Sequence, residues 1–296
     1  MKKQQRRLEK LLAVLEENQH IHIKRLEELM GTSTSTLRRD LIELEKSGMV
    51  RRTFGFVTLL KKNNIEFTTT YREAQNAEEK NKIGYFASKF INSSDAIFID
   101  TSTTCQYILE HLNDQTNIKI ITNNLAIAEK GRLQASLHIF LAGGALKPYS
   151  NSFLGDDTIK YLANFHARMA FFSCNSISEK GVFMADMEQT RCKQNMLKNA
   201  DLSILLVDHT KFRQDTDFIK MVPIHKLDII ITDQKPDTTF LKLCKNSDVQ
   251  VVYWMLVILF GTIQSIIKFL KKRNSYYRLP IFCPLVWLEM IYFLSL

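Results

Sequence analysis

Four leucines near the start of the chain, Leu8, Leu11, Leu12 and Leu15, fall at i, i+3, i+4 and i+7 and line one stripe of a helix that the pattern ends near Asn18. A shorter stripe of Ile23, Leu26, Leu29 and Met30 stops at Gly31, the residue that most easily takes the left-handed conformation past a helix end. Thr32-Ser33 then makes a turn, with Ser33 as the N-cap of a third helix that buries Leu37, Leu41 and Leu44 and stops at Gly48. Two short amphipathic helices joined by so tight a turn form a helix-turn-helix. The outer face of the third helix offers Thr34, Ser35, Thr36, Arg38 and Arg39. Short hydroxyls reach base edges or phosphates, and arginine supplies paired donors to guanine or charge to the backbone. A solvated face would look similar for one helix alone. The strand expected over Met49 to Arg52, the turn Thr53-Phe54-Gly55-Phe56 and the returning Val57 to Leu60 add a β-ribbon, with Arg51 and Arg52 flanking a phosphate-contacting wing. Operator DNA is the expected partner, and paired half-sites imply a homo-oligomer.

Charge supports that reading only once it is divided. The formal net charge is +9, but residues 1–62 hold 14 basic and 8 acidic side chains, residues 63–253 hold 21 and 22, and residues 254–296 hold 5 and 1. The excess sits at the two ends, and the middle is nearly neutral, as suits a small-molecule sensor. Cys105, Cys174, Cys192, Cys244 and Cys283 are scattered with no C-x-x-C pair and read as reduced thiols. His20 and His22 lack the partners a metal site needs, so no metal and no cofactor is expected. The polar opening, Met1 to Lys10, has no signal-type apolar core, which makes the cytoplasm the expected compartment.

The run Leu26 to Ser33, then Thr36 to Glu45, then Gly48 to Arg52, resembles the winged helix-turn-helix of the DeoR family of bacterial transcriptional regulators. The wing departs from it: family members usually read Arg-x-His-Gly-Gly where this chain has Arg52-Thr53-Phe54-Gly55-Phe56.

Beyond a linker and leading helix at 61–82, apolar runs alternate with helical stretches: Ala96 to Ile99, Ile118 to Ile121, Leu137 to Leu141, Ala170 to Phe172, Ser203 to Val207 and Ile229 to Ile231. Short buried strands separated by helices predict a Rossmann-like α/β domain over 83–253, with a mostly parallel sheet covered on both faces. Ligands of such sheets bind beyond the carboxyl ends of the strands. Those ends carry Asp100, Ser102, Thr103 and Thr104, then Asn123, then Gly143 and Gly144, and later Asp208 with Thr210 and Lys211, while Ser152 to Gly155 is expected to open a further helix. A Thr-rich turn is ordinarily a helix cap and a Gly pair a tight turn. Recurrence at one edge of one sheet is what singles these residues out.

The order of those pieces, with Phe171 to Ile177, Gly181 and Glu188 to Lys193, resembles the DeoR sensor domain, which is similar in fold to sugar-phosphate isomerases and deaminases. The resemblance covers about residues 5–253 and implies a phosphorylated sugar effector. Ser102, Thr103 and Thr104 would hold the phosphate, Lys193 and Lys211 would supply charge, and Asp100 and Asp208 would meet sugar hydroxyls. Ser102, Ser173 and Ser176 stand where the family usually has glycine. An isomerase or deaminase with an appended basic domain is the alternative, because Asp100, Asp208 and Lys193 could serve proton transfer. A DNA-binding domain on the same chain favours a regulator, a repressor of sugar utilisation, over an enzyme.

From Val251 to Leu270 the only charge is Lys268; Lys271-Lys272-Arg273 follows, and Leu279 to Leu296 is again apolar. Twenty helical residues span about 30 Å, enough for a bilayer. A membrane tether, a packing appendage and a tail read in a frame foreign to the domain all fit residues 254–296. The abrupt change in composition favours the last, and a membrane partner is conceivable only through this tail.

Overall fold

The computed structural model describes residues 2–46, 49–60, 69–148, 150–213 and 216–253. The chain divides into Met1–Leu256 and Val257–Leu296. The expectations for the tail at 254–296, for Gly48 and for most of the linker at 61–68 lie outside the described residues.

The first part runs α1 (Lys2–Asn18), β1 (His20–His22), α2 (Ile23–Met30), α3 (Thr34–Lys46), β2 (Val50–Thr53) and β3 (Phe56–Leu59). The leucine stripes converge as the spacing requires. Leu11, Leu15, Leu26, Leu37 and Leu41 are wholly buried in one cluster with Ile21, Met49 and Val57, each leucine contributing about 2 kcal/mol of burial. Gly31 sits at φ 61° and donates its N–H to the Glu27 carbonyl, closing α2 as expected. One strand was not foreseen: β1 pairs antiparallel with β3, which makes the wing a three-stranded sheet in the order β1-β3-β2. Three residues are too few to show a strand period in sequence.

The second part begins with α4 (Thr69–Ala74) and α5 (Ala77–Ser88), continues through β4 (Ala96–Ile99), α6 (Thr103–Gln106), β5 (Ile118–Thr122), α7 (Leu125–Gly131) and β6 (Leu137–Leu141), and turns back through the hairpin β7 (Ala145–Lys147) and β8 (Ser152–Leu154). It then runs α8 (Asp156–Leu162), β9 (Ala167–Phe172), β10 (Ser176–Ser178), β11 (Gly181–Met184), α9 (Met187–Lys198), β12 (Ala200–Val207), β13 (Ile219–Val222), β14 (Ile229–Thr232), α10 (Thr238–Asn246) and β15 (Gln250–Tyr253). Seven strands form one sheet in the order β15-β14-β12-β9-β4-β5-β6. Every pair in it is parallel.

The apolar runs named from sequence are strands of this sheet, five inner ones and the edge strand β6, and Ile97, Phe98, Ile120, Phe171, Leu205 and Ile230 have at most 1% of their surface exposed. Ser152 to Leu154 differs from expectation. It is the second strand of the β7–β8 hairpin, and the helix starts only after Gly155. A second small sheet, β10-β11-β13, was also unforeseen. The order of the large sheet has one consequence for function: from β4 the chain moves outward through β5 and β6, then returns to place β9 on the other side of β4. The β4/β9 boundary is therefore the topological switch point, where the crevice of an open α/β sheet forms. Gly84 of α5 lets the helix close on the next layer, since a Cβ there would lie 2.6 Å from the Tyr107 Cβ.

Candidate DNA-binding face and effector site

Ser33 caps α3 by accepting from the Thr36 N–H at 3.4 Å, and its hydroxyl lies 2.9 Å from that of Thr36 and 3.3 Å from that of Ser35. Thr34, Ser35, Arg38 and Arg39 are exposed, and Thr36 is half-buried. The helix that presents them is anchored from behind. Asp40, 1% exposed, accepts two hydrogen bonds from the Arg7 guanidinium of α1, at 2.5 and 2.9 Å.

The two wing arginines have separate fates. Arg51 is exposed. Arg52 donates to Glu45 of α3 through Nε at 2.8 Å, Nη2 at 2.5 Å and its backbone N–H at 3.0 Å. The hydrogen bonds from Arg52 hold the Glu45 carboxyl below its usual range. Arg52 therefore fixes the wing to α3, and Arg51 is left facing solvent.

At the switch point, the loop after β4 meets the loop after β9. Asp100 accepts from the Ser102 N–H at 2.8 Å, from the Ser173 N–H at 2.9 Å and from Lys193 Nζ at 2.5 Å; Lys193 also donates to the Ser173 carbonyl at 2.8 Å. Asp100 and Lys193 are 1% and 4% exposed as side chains. Burial alone would raise the Asp100 carboxyl, but the Lys193 charge and the donors from Ser102 and Ser173 outweigh it and hold the group below the usual carboxylate range. The pair is thus a clamp that joins three segments and sets the shape of the 100–104 loop. Ser102 caps α6 by accepting from the Cys105 N–H at 3.1 Å, and Thr103 and Thr104 are buried within it.

Next to the clamp, Asn123 donates to the Phe153 carbonyl at 2.8 Å, which ties the β5 loop to β8. Gly144 is accounted for by packing, since a Cβ would lie 2.2 Å from the Thr158 hydroxyl; at Gly143 the space is open. Asp208 accepts from the Thr210 N–H at 3.0 Å and from Asn76 Nδ2 at 3.1 Å. Burial pushes its carboxyl up, but the Lys211 charge, the hydrogen bonds from Thr210 and the Lys80 charge together outweigh that and hold it below the usual carboxylate range.

Three residues here, Gln189, Gln106 and Lys80, escaped the sequence reading. Gln189 accepts from the Thr101 hydroxyl at 3.3 Å, and its amide nitrogen is buried with no partner; the Gln106 amide nitrogen and the Asn123 side-chain oxygen are likewise buried and unpaired. Lys80 of α5 is 3% exposed and donates to the Arg72 carbonyl. Burial, then the positive charge of Lys211, push its amine from 10.5 down to about 7, against a partial opposing pull from Asp208. Two of them were legible as polar residues on core stripes: Lys80 shares one with Ile83 and Ala87, and Gln189 shares one with Cys192 and Met196.

Lys80 carries a pH prediction. Between pH 7 and 10.5 the unfolded chain holds a proton there that the folded chain has released, so this group makes stability rise with pH across that window. Lys80→Met is expected to flatten the rise and to increase the melting temperature at pH 7. Urea melts of both chains at pH 7 and pH 9 check it, and identical pH slopes would refute it.

A helix-turn-helix with its wing, followed by a parallel sheet whose switch point carries a hydroxyl-rich loop, is matched by two family models in the same order. The DeoR-like helix-turn-helix domain matches residues 7–63, and the DeoR C terminal sensor domain matches residues 75–234. The chain belongs to the DeoR family. It is a DNA-binding transcriptional regulator rather than an enzyme, which removes the isomerase alternative. DeoR relatives align over nearly their whole length. The HTH-type transcriptional repressor GlcR of Bacillus subtilis is 30% identical over 249 residues, 84% of this chain and 96% of its own. The glycerol-3-phosphate regulon repressor of Escherichia coli is 26% identical over 250 residues, 84% and 98%. The lactose phosphotransferase system repressor of Streptococcus mutans is 27% identical, over 83% and 99%. Among solved structures, ribose 5-phosphate isomerase A of Methanocaldococcus jannaschii aligns over 47% of this chain and 56% of its own, at 17% identity and a TM-score of 0.35, too slight a likeness to bear on function. Among the described residues, no helix is long and apolar enough to cross a membrane.

Proposed function

We propose that this DeoR-family chain represses a sugar-utilisation operon and releases it when a phosphorylated sugar binds at the β4/β9 switch point. The observation that carries the reading is the 100–104 loop, rich in hydroxyls and held in shape by the buried Asp100–Lys193 pair at the topological switch point, where open α/β sheets take their ligands. The unpaired amide of Gln189, one hydrogen bond from that loop, offers a ligand a buried donor that the protein itself does not satisfy. Ser102, Thr103 and Thr104 meet the phosphate, Lys193 and Lys211 set the positive field, and Asn123, Gly143, Gly144, Asp100 and Asp208 border the sugar. The relatives named for sugar or glycerol-phosphate control support an effector of this class. Thr34, Ser35, Thr36, Arg38 and Arg39 read the operator, Arg51 meets phosphate, and Arg52 positions the wing. The regulator works in the cytoplasm as a homo-oligomer on paired half-sites. The effector acts by binding the DNA-free arrangement more tightly than the DNA-bound one.

The test uses a duplex enriched from a randomised pool by the wild-type chain. Retention of that duplex is measured against a panel of hexose, pentose and glycerol phosphates, with inorganic phosphate as control, at two salt concentrations. One sugar phosphate is expected to release the duplex. Thr103→Ala is expected to bind the duplex as wild type does and to need at least tenfold more effector for release. A Thr103→Ala chain with the wild-type effector response would place the ligand elsewhere.

A further inference from the structure

Phe54 stands at the tip of the wing hairpin with 98% of its surface exposed. Its backbone is left-handed, at φ 46°, and Gly55 follows at φ 83°. With Thr53 paired to Phe56 across a two-residue turn, these signs give the mirror-image turn that suits a right-twisted hairpin. Glycine or asparagine would fill the first turn position without strain, whereas a bulky residue with positive φ is a conformational outlier. An aromatic ring wholly in water adds a second cost. Residue 54 therefore carries two unfavourable features that a glycine would remove together, and such outliers gather where a ligand is held.

The surroundings indicate what the ring meets. The same hairpin carries exposed Arg51, and Arg52 locks it to α3, the helix that bears Arg38 and Arg39. Behind the tip, Phe56 stacks on His20 with ring centroids 4.7 Å apart and meets His22 edge-on at 4.9 Å, so the finger has a stiff aromatic base. A rigid apolar tip rising from a basic surface suits a partner that is anionic outside and apolar within. DNA grooves have that character, and minor-groove proteins drive Phe, Leu or Ile wedges between base steps.

From this we infer that Phe54 is an apolar wedge seated in the minor groove of operator DNA, against a deformable base step beside the segment read by α3. The inference rests on the DNA-reading face proposed above. The wedge gives the chain a preference for flexible pyrimidine–purine steps at a position where no side chain hydrogen-bonds a base. The Arg51 guanidinium, two residue pairs back from the Thr53–Phe56 pair that closes the turn, takes a phosphate of the groove wall.

The experiment uses the full chain and the duplex enriched by wild type, with 2-aminopurine placed in turn at each position flanking the protected segment. Wild type is expected to raise the fluorescence at one or two adjacent positions as the step unstacks. Phe54→Gly, whose backbone suits the turn, is expected to keep or raise the melting temperature, to abolish that signal and to weaken binding about tenfold, within the range of one aromatic–base stack. Its salt slope stays at the wild-type value, whereas Arg51→Ala lowers the slope by about one. Phe54→Leu keeps part of the affinity. Wild-type affinity in Phe54→Gly, or no fluorescence change with wild type, overturns the wedge. A loss of affinity that only follows a fall in self-association, measured by sedimentation at the same concentrations, also overturns it, because the ring then meets a second copy of the chain. If Arg38→Ala/Arg39→Ala too binds as wild type, the DNA-reading face has failed along with the wedge; if that variant is impaired and Phe54→Gly is not, the wedge alone has failed.

Discussion

Lys193→Met is expected to lower the unfolding free energy by about 3–5 kcal/mol, because it leaves the Asp100 carboxylate buried with its strongest partner removed. For a domain of this size that corresponds to a fall in melting temperature of about 10 °C. Asp100→Asn is expected to cost a similar amount by a different route. The ammonium would keep the Ser173 carbonyl, and one end of the new amide would turn a donor toward the backbone N–H of Ser102 or Ser173. The double variant is expected to cost clearly less than the two singles summed, by about 2 kcal/mol, since neither charge is then stranded. Urea melts of the four chains close the cycle, and a single variant costing under about 1 kcal/mol would show that the pair is not the clamp described. The carboxyl also dates the acid limb: its folded pKa lies below the ordinary value, so its contribution is present above about pH 4 and is lost as pH falls through the folded pKa. A missing effector response in a Lys193 variant therefore reports stability first, and Thr103→Ala is the cleaner probe of binding.

The second large effect is on DNA. Arg38→Ala/Arg39→Ala is expected to weaken binding to the enriched duplex about a hundredfold while leaving the melting temperature within a degree or two, because both side chains are exposed and the burial of α3 rests on Leu37, Asp40, Leu41 and Leu44. Each arginine on a guanine contributes about 1–3 kcal/mol of discrimination, and each phosphate contact contributes about one unit of salt slope. Base contact and phosphate contact can be separated: a variant that loses affinity equally for the enriched duplex and a scrambled one has lost phosphate contacts, and one that loses it only on the enriched duplex has lost base readout. Wild-type affinity in the double variant would remove α3 from the interface.

The helices of the first part were readable because leucine at helical spacing and glycine at a helix end leave few alternatives. The central strands were readable because Ile97 to Ile99 and Ile229 to Ile231 are buried on both faces and so run as unbroken apolar segments, and Ile118 to Ile121 is broken only by the half-buried Lys119. The short strands were not. β1, β7 and β8 have three residues each, fewer than two periods of any pattern, and their pairing is set by partners elsewhere in the chain. At the site, the residues of the 100–104 loop could be named from the strand that precedes them. Their arrangement could not, because Asp100 and Lys193 lie 93 residues apart and nothing local shows that one neutralises the other. Lys80 and Gln189 were missed because a polar residue on a helix is ordinarily assigned to the solvent side; their place on an apolar stripe was the available signal.

The return of β9 to the side of β4 also sets an order of events for a newly made chain. The 100–104 loop gains its Ser173 contact only when a segment 73 residues further on has arrived, and its Lys193 contact only with α9 beyond that. Until then the β4 edge, an unbroken apolar strand, waits without its neighbour, a slow and association-prone interval in folding. A nascent or truncated chain that ends before α9 lacks the Lys193 half of the clamp. Completion of the sheet is thus what gives the 100–104 loop, and with it the proposed effector site, its shape.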